Sequence, residues 1–453
     1  MDPFIVSSFG LFVMGLCQGL FTAPSGQTFM LLAWGWAMAW GSHTITTYLW
    51  LTGATTVKHF SRFYVFLGGP LYQARWKLWA RIIRHAAHWV PEEEPIVIEV
   101  DDSTKKKAGR HIEGVGRYRN GAGSARQEYR TLRGVNGVGA IMRVPLPWWP
   151  GHCLSVPIGF SLYLKKAWAR KLMCPYRSRS ALAREIVDFV AAQLPARQIR
   201  VLGDGGYATK AYLRRLPAAV DVVSRMLITG KLYDRPANPV GPRRGCPPKK
   251  GKLLGSPKTL ARHRHGWRPH PTEAGALVQA WEGLWHSVLP GRVIRVVVVR
   301  RPATTRVRKP GQRKLPPVGA FFTTDLFLSL EAILAQYCDR WAVEITIRDS
   351  YAFDGLGQDQ CRKVERIVGA NTLRLVLAAA RTLWFVEHAH YAGGLDLGRY
   401  RPWYRQKRAP SQLDVVWVCR EALHDAGVFP IPRFGPALAE NPEESEKALP
   451  LAA

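Results

Sequence analysis

Acidic residues are scarce in this chain: 33 Asp and Glu stand against 64 Lys and Arg, leaving a formal net charge of +31. An excess this large disfavours a compact state through self-repulsion unless a polyanion offsets it. Nucleic acid is therefore the first candidate partner and an anionic membrane surface the second. Cysteine is sparse as well. Cys17, Cys153, Cys174, Cys246, Cys338, Cys361 and Cys419 are odd in number and never spaced as Cys-x-x-Cys. That pattern argues against a disulfide framework and a zinc site, and fits a reducing cytoplasm. Charge of either sign is missing between Asp2 and Lys58, where Phe4–Phe21 and Phe29–Trp40 are strongly apolar. Gln18 and several glycines interrupt the first run, Pro24–Gln27 breaks the second away, and the second is too short to cross a bilayer. No basic residue precedes the first run, which argues against a signal peptide. The expectation is buried helices of a soluble domain, with a membrane-associated start as the rival.

What is present suits two or three domains, since 453 residues with 47% hydrophobic content can furnish real cores. Residues 1–92 read as an all-helical, DNA-binding domain, with basic residues interleaved among aromatics from Lys58 to Lys77 and Pro91–Pro95 as its boundary. Residues 93–233 read as α/β. Ile96–Val100 is a buried strand delivering Asp101 and Asp102, followed at once by Lys105, Lys106 and Lys107. Ile199–Gly203 is a second strand, delivering Asp204 into a glycine turn, and Val220–Met226 a third. Acids at strand ends are α/β logic, where sites gather at the carboxyl edges. Residues 234–322 read as a basic, β-rich insertion. Its first part carries Arg243, Arg244, Lys249 and Lys250 in a cationic loop or a solvated linker, and Arg300–Lys314 is a basic hairpin. Residues 323–390 complete the core with a long helix over Val364–His388. Residues 391–433 form a C-terminal helical region, with a closing helix over Ser411–Ala426, and 434–453 a disordered tail.

Ser329 can cap a helix beginning at Leu330. At 3.6 residues per turn, Tyr337, Arg340, Glu344, Arg348 and Tyr351 fall on one face, with Leu334, Trp341 and Ile345 as an adjacent apolar strip. One carboxylate between two guanidiniums suits gripping phosphates around a metal; a solvated ion-pair face is the plainer reading. The β-branched residues from Val343 to Ile347 weaken the helix. Asp101 (or Asp102), Asp204 and Glu344 are three distant acids that, once converged, need a proton or a cation to neutralise them. Hard divalent cations, Mg²⁺ or Mn²⁺, suit carboxylate ligands, and two ions about 3.5–4 Å apart serve phosphodiester chemistry. With the basic surface this points to a nuclease or polynucleotidyl transferase.

These motifs resemble those of the DDE-type transposases of bacterial insertion sequences, in the group whose glutamate motif is Tyr-x2-Arg-x3-Glu-x6-Lys. Tyr337, Arg340 and Glu344 match it, and Tyr351 stands at the lysine position. Asp101–Ser103 with Lys106 and Gly109 resembles the first-aspartate motif, and Leu202–Tyr207 the second. The resemblance implies an RNase H-like catalytic core with a β-rich insertion and Mg²⁺-dependent cleavage of double-stranded DNA at transposon ends. Strand transfer by the freed 3′-hydroxyl would follow. It also implies a homodimer on DNA, in the bacterial cytoplasm at the nucleoid, with no small-molecule substrate. Asp101, Asp204 and Glu344 would hold two metal ions. Tyr337, Arg340 and, more weakly, Arg348 would grip phosphates. Trp267, Trp281 and Trp285 lie where relatives stack a flipped base, or are ordinary core. Both aspartate frames satisfy the family's Asp-x-Ser/Thr pattern; Asp101 is preferred because it directly follows the apolar run. The rivals are a catalytically inactive DNA-binding protein derived from a transposase, a junction-resolvase-like nuclease without strand transfer, and a membrane-associated basic protein.

Overall fold

The uncharged N-terminal stretch folds as helices whose apolar side chains are buried. In the computed structural model, which describes residues 6–119, 130–236, 246–302, 317–388, 403–404 and 406–428, helices α1 (Ser8–Cys17), α2 (Ala23–Met38) and α3 (Ile45–Leu51) come first. Helices α4 (Ser61–Gly68) and α5 (Pro70–His88) follow. Phe9, Leu32, Phe63 and Trp79 from these helices belong to the same continuous core as Ile98 and Val201 of the sheet. The helical segment thus shares its interior with the α/β part rather than closing on a core of its own. Among the described residues, no helix is long and apolar enough to cross a membrane.

The sheet is built from β1 (Ile96–Lys106), β2 (Gly116–Arg119), β3 (Thr131–Pro145), β4 (Cys153–Tyr163), β5 (Ile199–Gly203) and β6 (Val220–Arg225). It continues through β7 (Leu232–Tyr233), β8 (Leu253–Gly255), β9 (Arg268–Pro269), β10 (Leu277–Leu284), β11 (Val293–Arg300) and β12 (Val318–Thr323). The order is β2-β3-β1-β5-β6-β12-β11-β10-β7-β8, with β4 on β3 and β9 on β10. Strands β1, β3 and β4 are antiparallel neighbours, whereas β5 and β6 run parallel to β1. Helix α6 (Arg179–Gln193), capped by Ser178, makes the crossover between β4 and β5. The described part of 234–322 extends this sheet from β12 outward by antiparallel pairing. Leu260 and Trp285 of that segment lie in the main core.

Two faces separate by strand parity. Ile96, Ile98 and Val100 enter the large core, while Val97, Leu202 and Val223 meet Ile333 and Leu334 on the other face. The latter residues belong to α7 (Leu330–Asp339), where the Ser329 hydroxyl accepts the Ala332 N–H at 3.1 Å as the capping pattern anticipates. The expected single helix is two. It turns at Arg340, and α8 (Trp341–Phe353) continues from there. The turn changes the packing face, so Val343 and Ser350 are buried while Trp341 and Ile345 are exposed. The apolar strip expected from Leu334, Trp341 and Ile345 therefore does not form. Gly355, at φ +75°, ends this segment; a Cβ there would stand 2.0 Å from the His43 Cβ.

Helix α9 (Val364–His388) matches the anticipated span, and α10 (Gln412–Asp425) begins with a capping box between Ser411 and Asp414. Residues 367–386 are buried along their whole length, so α9 is the axle of the helical layer. Gly369 lets α4 approach, since a Cβ would meet the Leu67 carbonyl oxygen at 1.9 Å. Arg243, Arg244, most of the expected basic hairpin and the tail at 434–453 lie outside the described residues.

Candidate active site

Strand parity places the first acid. Strand β1 does not stop at the aspartates but runs on to Lys106, held by β3. Glu99, Asp101, Ser103 and Lys105 alternate onto the face turned towards α8, and the contacts follow. Glu99 accepts the Val343 N–H at 2.7 Å, and Tyr351 shares a hydroxyl hydrogen bond of 3.0 Å with Ser103. The Lys105 ammonium lies 4.6 Å from the centre of the Tyr351 ring. Asp102 points the other way. It accepts from Arg179 at 2.8 Å, from Asn136 at 2.9 Å and from the Tyr207 hydroxyl at 3.3 Å.

The second acid follows from register. The parallel ladder between β1 and β5 ends at Val100 opposite Gly203. One step further, Asp101, still within β1, and Asp204, just beyond the end of β5, stand next to each other, where strand spacing is about 4.8 Å. Asp204 opens a tight turn, its carbonyl accepting the Tyr207 N–H at 2.9 Å across Gly205 and Gly206. The Tyr337 hydroxyl approaches its Oδ1 at 3.5 Å, and the Tyr337 ring lies 4.6 Å from Phe321.

Glu344 stands in the first turn of α8, and its charge acts on Asp101. Arg340, buried at the bend, donates to Glu344 Oε1 at 3.0 Å. Its guanidinium is the common neighbour of the three acids: its pKa is raised by Tyr337, Glu344 and Asp204 against the opposing effect of burial, and its charge acts on Asp101. Burial pushes the Asp101 carboxyl up to about 7, with the nearby charges of Asp102 and Glu344 adding to it and Arg340 opposing. A raised carboxyl is what burial beside other acids produces, and hard oxygen donors of this kind suit a divalent ion. Among the described residues, no three His, Cys, Asp or Glu side chains stand together closely enough to form a ready-made metal cluster.

Other expected residues are less central. The Arg348 guanidinium is exposed and pairs with neighbouring Asp349 at 2.9 Å. Lys106, Lys249 and Lys250 are exposed, the last with its ammonium 4.1 Å from the Tyr233 ring centre. Trp285 is fully buried against Phe322, whereas Trp267 and Trp281 pack edge to face at 5.8 Å.

Glu99 is the residue that sequence reasoning passed over. It is fully buried, and burial pushes its carboxyl up to about 7 against the pull of Arg143, 3.5 Å away, and of the Val343 amide. The available signal was an acid inside the apolar run Ile96–Val100, two residues before Asp101 and hence on the same face. By accepting a first-turn N–H of α8 it ties the strand bearing Asp101 to the helix bearing Glu344. Glu99→Ala is expected to cost about 1–3 kcal/mol in denaturant unfolding, with Glu99→Gln recovering much of it, since an amide oxygen can still accept from Val343. Equal stability for the alanine variant and the wild type would remove this tether from the account.

The fold and the site define a nuclease-like α/β protein with acids at the carboxyl edge of a parallel ladder. The family model of DDE superfamily endonucleases matches residues 54–285, just over half of the chain, and the chain belongs to that family. The match spans Asp101 and Asp204 and ends before Glu344. No curated protein matches the chain. Membership implies DNA as the substrate.

Proposed function

We propose that the protein is an active DDE transposase that cleaves DNA at transposon ends and joins the freed 3′-hydroxyl to target DNA. The observation carrying this reading is that Asp101 and Asp204 stand one step past the end of the β1–β5 ladder, with Arg340 bonded to Glu344 and its charge acting on both aspartates. The strand order β4-β3-β1-β5-β6, antiparallel and then parallel, supports an RNase H-like core. Asp101, Asp204 and Glu344 would hold two Mg²⁺ ions, or Mn²⁺ in their place. When bound, such ions supply activation of the attacking oxygen and neutralise charge on the leaving one.

The chain's own groups do the rest. Glu99 and Arg340 fix the orientation of Glu344. Tyr337 and Arg340 present a phenol and a guanidinium to substrate phosphates. Lys105, resting on Tyr351, supplies from β1 the cation that the family motif would place at position 351. Lys106, Lys249, Lys250, Arg243 and Arg244 add nonspecific phosphate contacts, as do the N-terminal helices. The protein would work as a homodimer on DNA in the bacterial cytoplasm.

Nicking of a duplex carrying the element's own terminal sequence tests this. Cleavage that requires Mg²⁺ and is abolished by a chelator supports the reading. Tight DNA binding without nicking supports the inactive rival. Affinity is expected to fall steeply between 50 and 200 mM salt, by about 10³-fold or more if six or more phosphates are neutralised.

A further inference from the structure

A second polar site lies at the far end of α8, away from the acids. There α2, the end of α8, α9 and α10 surround a cavity of about 220 Å³, lined by Trp36, Trp40, His43, Phe353, Arg381 and Arg420. Arg381 is only 5% exposed, and its Nε has no hydrogen-bond partner among the described residues. Its Nη2 pairs with buried Asp354 at 2.7 Å, and the guanidinium carbon stands 5.0 Å from the Trp36 ring centre. Arg420 donates to the Ala37 and Ala39 carbonyls and lies 5.1 Å from the Trp40 ring centre. Exposed Trp40 tilts against Trp417 at 5.2 Å, forming an aromatic lip.

The field inside is positive. His43 is pushed down to about 3, by burial first and then by Arg374, Arg381 and Arg420. Its ring is not an open ligand, being engaged by Tyr48 at 3.3 Å and by the Phe353 backbone. A buried guanidinium donor without an acceptor is costly, and a doubly charged oxyanion meets that need better than water. An indole at the mouth offers a stacking surface to a base attached to that anion.

We propose that this cavity binds the phosphate of a nucleotide, either free or at the 5′ end of a DNA strand, with the base against Trp40. Phe353 lies nine residues beyond Glu344, roughly 13 Å along the helix, so the site is separate from the three acids. It stands independently of the transposase reading, because its readout is binding rather than cleavage.

The test is a thermal-shift titration of the full chain at fixed ionic strength with inorganic phosphate, dAMP and deoxyadenosine. Duplexes with and without a 5′-phosphate distinguish the free nucleotide from the strand end as its source. Phosphate and dAMP are expected to raise the melting temperature saturably, and deoxyadenosine to do nothing. Arg420→Met should weaken dAMP binding about tenfold or more, Arg420→Lys less, and Trp40→Ala should weaken dAMP but not inorganic phosphate. Arg381 is left intact, because removing it would strand the Asp354 carboxylate and endanger folding. A phosphate effect no larger than that of chloride, or one unchanged by Arg420→Met, overturns the proposal.

Discussion

Replacing Asp204 by Asn is expected to lower Mg²⁺-dependent DNA cleavage by about a thousandfold or more while leaving DNA affinity nearly unchanged. The size follows from the several kcal/mol of transition-state charge stabilisation that a correctly held cation contributes. Affinity should persist because it rests on the 64 basic residues and their counterion release, to which one carboxylate adds nothing favourable. Folding should persist as well. The side chain of Asp204 approaches the Tyr337 hydroxyl only at 3.5 Å, and the turn that follows is held through its backbone carbonyl. Quenched-flow or gel-based nicking beside a filter-binding curve at matched salt separates the two effects. Retained cleavage would remove Asp204 from the site; lost binding would mean that the substitution had disturbed the fold.

Much of this arrangement is legible in the sequence, for identifiable reasons. An apolar run ending in an acid or a glycine turn marks β1 and β5, and Ser329 before Leu330 marks the start of α7. The span of α9 follows from apolar residues recurring at helical spacing between Val364 and His388. Three features were not legible. The bend at Arg340 depends on tertiary demands: Ile333 and Leu334 seek one part of the sheet, Val343 and Ser350 another, and helical periodicity drawn straight through cannot express that change. The extension of β1 past Asp101 to Lys106 is stabilised by β3, a partner whose own glycines weaken its strand signal. The continuation of the sheet through β12, β11 and β10 depends on pairing across nearly a hundred residues, as between Ser224 and Phe322. The sequence marks that region as a basic, β-rich insertion and is silent on which strand of the core it joins. Parity along β1 carries more information than its composition, since it turns Glu99 and Asp101 to α8 while turning Asp102 to Arg179.

Asp101→Asn is expected to abolish cleavage and at the same time make the metal-free protein more stable at pH 8. The sign follows from linkage. The folded-state pKa of Asp101 is raised from 3.8 to about 7, so the folded protein favours the neutral form. The stability tied to that proton is fully present below about pH 4 and is lost as pH rises through about 7. At pH 8 the wild type therefore carries a buried charge that the amide variant lacks, a difference on the order of 2–4 kcal/mol. For a chain of this size that corresponds to about 2–4 °C in melting temperature. Asn keeps an oxygen where Asp101 Oδ1 accepts the Asp102 N–H at 2.8 Å, so the local backbone need not move. Added Mg²⁺ should raise the melting temperature of the wild type and not that of the variant, narrowing the gap. Glu99, also near 7, titrates with the same sign in both proteins and cancels in the comparison. Asp102→Asn supplies the contrast. Loss of its 2.8 Å pairing with Arg179 offsets the relief of its charge on Asp101, so no stability gain is expected, and cleavage should fall only about 10–100-fold through the disturbed neighbour. If Asp102→Asn instead matched the loss of cleavage and the gain in stability assigned to Asp101→Asn, the first metal ligand would be Asp102. The alternation of β1 would then be misread by one residue.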